Sequence, residues 1–155
     1  MLRVISTFAI TCAFLSTPGC GSGPTEPLAS ATGLVTLDNR PIEGVSITLI
    51  PKEGSSFGRI SYAVTDGEGR FELQTSPTQK GAIIGTHWVQ LIKMVQEDGS
   101  PIPPDAPPEE IVPINLLPQA YAEVSTTPIE AIIPDDGATD LRFELSSKAQ
   151  PRPQY

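Results

Sequence analysis

The residue types most often used for metal binding and acid–base chemistry are scarce in this chain of 155 residues, which has one histidine and two cysteines. His87 lies in the run GTHWVQLIK, where it shares an alternating face with Val89 and Leu91. This face is the apolar one, so we expect a packed histidine rather than a general base. A metal site needs several ligands, and the acidic turns DGEG and PDDG lack the EF-hand spacing. We therefore expect no metal and no cofactor.

Cys20 ends a segment that has the organisation of an export signal. Arg3 gives a positive start, residues 4–16 are uncharged and mostly apolar, and the small or turn-forming residues of TPGC follow. This order is typical of a secretory signal, and the apolar run is too short to span a bilayer. Because Cys12 lies within the signal, a chain cut before Cys20 has no partner for an internal disulfide.

The segment TPGC, with Gly19 directly before the cysteine, resembles the lipobox of bacterial lipoproteins. The resemblance implies that 1–19 is a lipoprotein signal peptide, that lipid is attached to the Cys20 sulfur, and that the membrane of the cell envelope is a partner. Residues 20–30 then form a flexible tether. The alternative is an ordinary secretory signal with a chance cysteine.

Charge and motifs narrow the function classes. The formal net charge is −8, and all 18 acidic residues lie after residue 19. Such an acidic chain disfavours nucleic acid as a partner. Neither the P-loop nor the dinucleotide-binding glycine pattern is present. We predict a non-catalytic binding or structural module rather than an enzyme.

Short alternating apolar runs, punctuated by 17 prolines and 13 glycines, predict an all-β domain. In the second run, for example, Val45, Ile47 and Leu49 point inward. Seven strands separated by turn signals indicate a two-sheet β-sandwich. The predicted strands are 33–37, 44–51, 59–65, 70–74, 85–94, 127–133 and 140–145.

The run GLVTLDNRPIEGVSITLIP, followed by VTDGEGRFEL, resembles the carboxypeptidase regulatory-like domain, a transthyretin-like, Greek-key β-sandwich. The ending STTPIEAIIPDDGATDLRFEL is similar to the final hairpin of small lipoproteins of this type in planctomycete-like bacteria. The resemblance covers 31–146. The matching residues are Pro41, Gly44, Pro51, Thr65, Asp66, Gly69 and Phe71.

Four of these matching residues have a physical reason to be structural. Gly44 and Gly69 stand where the backbone direction or φ is unusual. Asp66 can accept backbone N–H bonds across its turn, and Phe71 fills the core beside it. We expect structural rather than functional roles for all four.

Residues 95–120 form a long segment without a strand pattern, and seven prolines make it stiff. Since consecutive strands reverse direction, we expect this loop at the opposite end of the domain from the tether. It would offer a surface to a cationic or proline-recognising partner. Acidic decoration that keeps the domain soluble is the alternative. Its acidic residues are Glu97, Asp98, Asp105, Glu109 and Glu110.

Trp88 alternates to the outer face of its strand. It is either covered by the long loop or exposed and able to stack on a sugar ring, which would make the domain a carbohydrate-binding module. Residues 147–155 are predicted to be a disordered tail. Taken together, the sequence predicts a lipid-anchored module of the cell envelope, outside the cytoplasm, with an unidentified envelope protein or glycan as its partner.

Overall fold

A computed structural model describes residues 27–52, 59–103, 105, 107 and 111–153. The predicted signal, Cys20 and most of the tether therefore lie outside the described residues. Glu109 and Glu110 also lie outside them. Within the described ranges, no helix is long and apolar enough to cross a membrane.

The all-β prediction is confirmed. Fourteen strand segments and one 3₁₀ turn at Gln119–Tyr121 make up the regular structure of the described residues. The segments are β1 Leu28–Ala29, β2 Ala31–Leu37, β3 Arg40–Pro41, β4 Ser46–Pro51, β5 Ser61–Val64, β6 Arg70–Glu72, β7 Gln74–Ser76, β8 Gln79–Lys80, β9 Ala82–Ile83, β10 Gly85–Ile92, β11 Met94–Val95, β12 Ile114–Asn115, β13 Glu130–Ile133 and β14 Ala138–Leu145.

Two sheets pack against each other as a sandwich. The larger sheet has the order β13-β10-β4-β5-β7-β8, and its pairs are antiparallel. The smaller sheet has the order β14-β2-β3, with β6 also paired to β2. In it, β14 runs parallel to β2, so the last strand lies beside the first long one. The ribbons β1–β9 and β11–β12 complete the described pairing.

Alternation places the core between the sheets, because successive side chains of a strand point to opposite faces. The smaller sheet contributes Val35, Phe71 and Phe143, and the two rings stack with centroids 5.3 Å apart. The larger sheet contributes the inward residues that were predicted for the second, fifth and sixth apolar runs of the sequence. These include Ile47, Leu49, Val89, Leu91, Ala131 and Ile133, all buried.

The fourth predicted strand is two strands. It breaks at Leu73, which is fully buried and donates its N–H to the carbonyl of Ala31. On one side of the break β6 pairs with β2 in the smaller sheet, and on the other β7 pairs with β5 in the larger one. The segment 70–76 therefore passes from one sheet to the other.

The sandwich has two distinct ends, as predicted from strands that reverse direction one after another. The far end carries the Asp38–Asn39 turn, the turn at 66–69 and the loop after β10, where Lys93 Nζ lies 2.6 Å from the Glu43 carbonyl oxygen. The near end carries Pro27 and the turn 134–137, where Ala138 N–H bonds the Ser30 carbonyl. The chain thus enters the described domain at the end opposite the long loop.

Candidate functional site

The turn after β5 is held by one carboxylate. Asp66 Oδ1 accepts the N–H groups of Glu68 at 2.9 Å and Arg70 at 2.8 Å. Gly69 has φ +75°, and a Cβ there would lie 2.6 Å from the Val35 carbonyl oxygen. These contacts hold the backbone of the turn in place.

Gly44 and Phe71 have structural roles as well. Gly44 has φ +69°, a conformation that favours glycine, and donates its N–H to the Thr65 carbonyl. Phe71 is buried and stacks on Phe143. Phe71 also lines an open groove of about 580 Å³, together with Tyr62 and Arg70.

The described parts of the long loop are held in place near both of its ends. After β11, Gln96 and Ser100 close a turn through the Gln96 N–H and the Ser100 carbonyl, 2.9 Å apart. Asn115 of β12 accepts the Lys93 N–H with its side-chain oxygen at 3.1 Å. Leu117 and Tyr121 are buried against the sandwich. Hydrogen bonds and two apolar anchors therefore fix both ends of this loop.

Three of its five acidic residues are described, and all three are exposed: Glu97, Asp98 and Asp105. The side chain and N–H of Ser100 bond to Asp98 and lower the pKa of its carboxyl below the usual value. Glu97 and Asp98 line a groove of about 480 Å³ together with Gln96, Ile111 and Val112.

Apolar side chains are exposed next to these acids. Seven large apolar residues are exposed among the described residues, and four of them belong to this loop and its base. Val112 is the most open, at 75%. We call these four residues and the three described acids the distal patch; its apolar members are Met94, Val112, Ile114 and Leu116.

His87 is a core residue, as predicted. Its side chain is fully buried, Nδ1 lies 3.1 Å from the Gly85 carbonyl oxygen, and Nε2 has no hydrogen-bond partner among the described residues. Burial lowers the pKa of its imidazole. Within the described ranges, no three His, Cys, Asp or Glu side chains converge to hold a metal ion.

Trp88 is half-buried, and its cover differs from the one predicted. The C-terminal segment lies over it, with the Arg152 guanidinium carbon 3.6 Å from the ring centroid. Lys52 Nζ lies 3.7 Å from the centroid and 2.5 Å from Glu130, the residue opposite Trp88 on β13. Lys52 and Arg152 therefore both lie over the Trp88 ring, which would have to be uncovered to stack on a sugar.

Residues 147–153, for which the sequence predicts a disordered tail, contact the sandwich at several points. Ser147 N–H bonds Asp38 Oδ1 at 3.1 Å, and Arg152 N–H bonds the Thr126 carbonyl at 2.8 Å. Polar composition indicated a frayed end, but these hydrogen bonds and the indole of Trp88 tie the segment to distant parts of the chain. Residues 154–155 lie outside the described residues.

A G-x-S-x-G spacing does occur in the sequence at 54–58, which lies outside the described residues. In α/β-hydrolases this turn joins a strand to a helix, which exposes the serine. Here the flanking strands β4 and β5 are antiparallel neighbours in one sheet. The spacing therefore lacks the surroundings that give it a catalytic meaning.

Sequence reasoning missed Lys52, Thr65 and Arg152 as positioning residues. Thr65 Oγ1 accepts the Val45 N–H at 2.9 Å and donates to the Ile42 carbonyl at 2.7 Å, so it joins β5 to the chain before β4. Thr65 does stand in the matched turn motif, which is a local signal. Nothing local marks Lys52 or Arg152, because they meet Trp88 only through the tertiary fold.

Comparison with known proteins gives little beyond this geometry. No family model and no curated protein matches the chain. Among solved structures, a 9R-lipoxygenase from Cyanothece PCC8801 is similar over 84% of this chain, at 17% identity and a TM-score of 0.38. The chain spans 18% of that protein's length. A likeness this weak carries no argument about function.

Proposed function

We propose that this chain is a non-catalytic lipoprotein of the bacterial cell envelope, anchored through Cys20, with a carboxypeptidase regulatory-like sandwich that presents a protein-binding surface. The observation that supports the proposal most is the separation of the two ends of the sandwich. The chain enters at Pro27, beside the turn 134–137, whereas the distal patch lies at the other end. A lipid on Cys20 would hold the first end near a membrane and leave the second accessible.

The chemistry of the distal patch favours a protein as its partner. Val112 and Ile114 supply apolar area on a stiff, proline-bearing loop whose ends are held by hydrogen bonds, so little conformational entropy is lost on binding. Exposed carboxylates, among them Glu97 and Asp98, stand beside this area. Apolar contact surrounded by negative charge is complementary to a partner with an apolar anchor among basic residues.

The anchor is tested by intact mass and fractionation. Protein extracted in detergent should begin at Cys20 and carry diacylglyceryl and acyl mass, and Cys20→Ser should leave the membrane fraction. An unmodified mass in the soluble fraction would refute the lipid anchor.

The binding surface is tested by cross-linking in whole envelopes. The double variant Val112→Ser/Ile114→Ser should lose adducts that the wild type forms. Ile132→Ser is the matched control, because Ile132 is 67% exposed on β13, outside the distal patch. If the double variant and the control keep the same adducts, the distal patch is not the binding surface.

A further inference from the structure

Arg152 is held at several points rather than resting on the surface. Its guanidinium lies over Trp88, and its Nη2 donates to the carbonyls of Ser125 at 3.1 Å and Val124 at 3.4 Å. Its own N–H bonds the Thr126 carbonyl at 2.8 Å. The side chain and the backbone N–H of Arg152 thus contact one aromatic ring and three carbonyl oxygens. We call Trp88 with the turn 124–126 the arginine site.

The sandwich builds the arginine site without help from the C-terminal segment. The inward positions of His87 and Val89 force Trp88 to the outer face of β10. The chain from 124 to 127 is fixed by Thr127, a buried residue whose hydroxyl donates to the Val89 carbonyl at 2.6 Å. Neither the outward position of Trp88 nor the Thr127 hydrogen bond involves the C-terminal segment.

The segment that supplies Arg152 is attached at few points. It forms no strand, and most of its side chains from Ser146 to Pro153 are exposed. Apart from Arg152, the attachments among the described residues are the hydrogen bonds from the Ser146 N–H to the Tyr121 hydroxyl and from the Ser147 N–H to Asp38, and the partial burial of Ala149 against the core. A segment with so few contacts opens locally at far lower free energy than the sandwich unfolds.

We infer that the arginine site is a binding site for an arginine in an extended, proline-flanked segment, which this chain fills with its own Arg152 and which accepts the same segment in trans. Arginine suits it better than lysine. The planar guanidinium lies over the indole while its Nη2 reaches two carbonyls, and its Nη1 is buried without a hydrogen-bond partner among the described residues. An ammonium is a compact point charge that cannot stack in this way. Lys52 adds a like charge nearby, and Glu130 neutralises it. This inference does not depend on the proposed lipid anchor or on the distal patch.

The test uses the full-length chain, in which Trp88 is the single tryptophan. Arg152→Ala should shift Trp88 emission to the red and increase its quenching by acrylamide. The matched control is Gln150→Ala, which changes an exposed side chain of the same segment. A peptide of residues 146–155, which contains no tryptophan, is then titrated into the Arg152→Ala chain.

The peptide should restore protection of Trp88 saturably in the Arg152→Ala chain and have little effect on the wild type. In the wild type, the tethered segment competes at a high effective concentration. Replacing arginine by alanine in the peptide should weaken binding by about 5- to 30-fold, the range of a partly desolvated cation–π contact. A lysine peptide should bind at an intermediate level.

Three results would overturn the inference. In the first, quenching of Trp88 is the same in Arg152→Ala and in the wild type. In the second, the peptide gives no saturable protection, and the contact is then possible only within one chain. In the third, the arginine and alanine peptides bind equally well. Arg152→Lys, which keeps the charge, repeats the test if Arg152→Ala lowers the thermal stability of the whole domain.

Discussion

A Cβ on Gly33 would lie 2.6 Å from Cζ of Phe71, and it would also run into the carbonyl oxygen of Leu141. Gly33 is in β2, between β6 and β14, so the smaller sheet closes there only around a residue without a side chain. Phe71 in turn stacks on Phe143 of β14. The glycine and the two rings form one packing unit that joins three strands.

Gly33→Ala should therefore lower the free energy of unfolding by ~1–3 kcal/mol or more, since backbone and ring must move to admit a methyl group. Urea denaturation measures the change. Gly67→Ala is the control, because its Cβ would lie 4.0 Å from the nearest neighbour, and it should stay within about 0.5 kcal/mol of the wild type. Equal losses in the two variants would contradict the packing explanation.

Thr65→Val should destabilise the domain by about 1–3 kcal/mol, although it preserves the side-chain volume. Without the hydroxyl, the Val45 N–H and the Ile42 carbonyl lose a partner where Thr65 is buried. Thr65→Ser keeps the hydroxyl and should retain most of the stability. If Val and Ser variants unfold at the same urea concentration, the two hydrogen bonds contribute little.

Because of His87, the free energy of unfolding should decrease as the pH is lowered below about 6.5. Burial lowers the pKa of its imidazole in the folded state from the ordinary value of 6.5. Below pH 6.5 the unfolded chain therefore binds more protons than the folded one. The stability that neutral His87 permits is complete above that pH and declines as the pH falls towards the lowered pKa. His87→Phe should remove this slope in urea denaturation from pH 5 to 8; an unchanged slope would assign it to other groups.

Asp38 should link acid conditions to release of the C-terminal segment. Hydrogen bonds from the side chain and N–H of Ser147 lower the pKa of its carboxyl below the usual 3.8. The contribution of the carboxylate is present above that value and lost as the pH falls through the lowered pKa. At neutral pH, Asp38→Ala should expose the Ser147 amide to hydrogen exchange. Asp38→Asn, which keeps an acceptor oxygen, should protect it partly; equal protection in the wild type and Asp38→Ala would refute the link.

Alternating apolar residues predicted much of the core correctly. Val45, Ile47 and Leu49 point inward because burial of one face of a strand needs only local alternation. In the third run, alternation places Ile60, Tyr62 and Val64 together on one face, but this apolar face is not the buried one. The structure buries Ser61 and Ala63 there and exposes Val64, because the Ser61 hydroxyl accepts the Ile83 N–H inside the domain.

The change of sheet at Leu73 and the cover of Trp88 could not be predicted in this way. The break at Leu73 depends on which distant strands accept hydrogen bonds on either side of it. The contact of Arg152 with Trp88 depends on the path of the chain after β14. Both features depend on contacts between residues that are far apart in the sequence. No local periodicity or motif indicates such contacts.

The parallel pairing of β14 with β2 also has a consequence for the order of folding. Ala138 pairs with Ala31, and Leu145 with Leu37, so β2 gains this partner only after residues 138–145 have been synthesised. Contacts between such distant residues slow folding, because a long loop must close before they form. Until then one side of β2 has unpaired backbone groups that can pair with another chain. The nascent domain is thus most prone to aggregate in the interval before its last strand arrives.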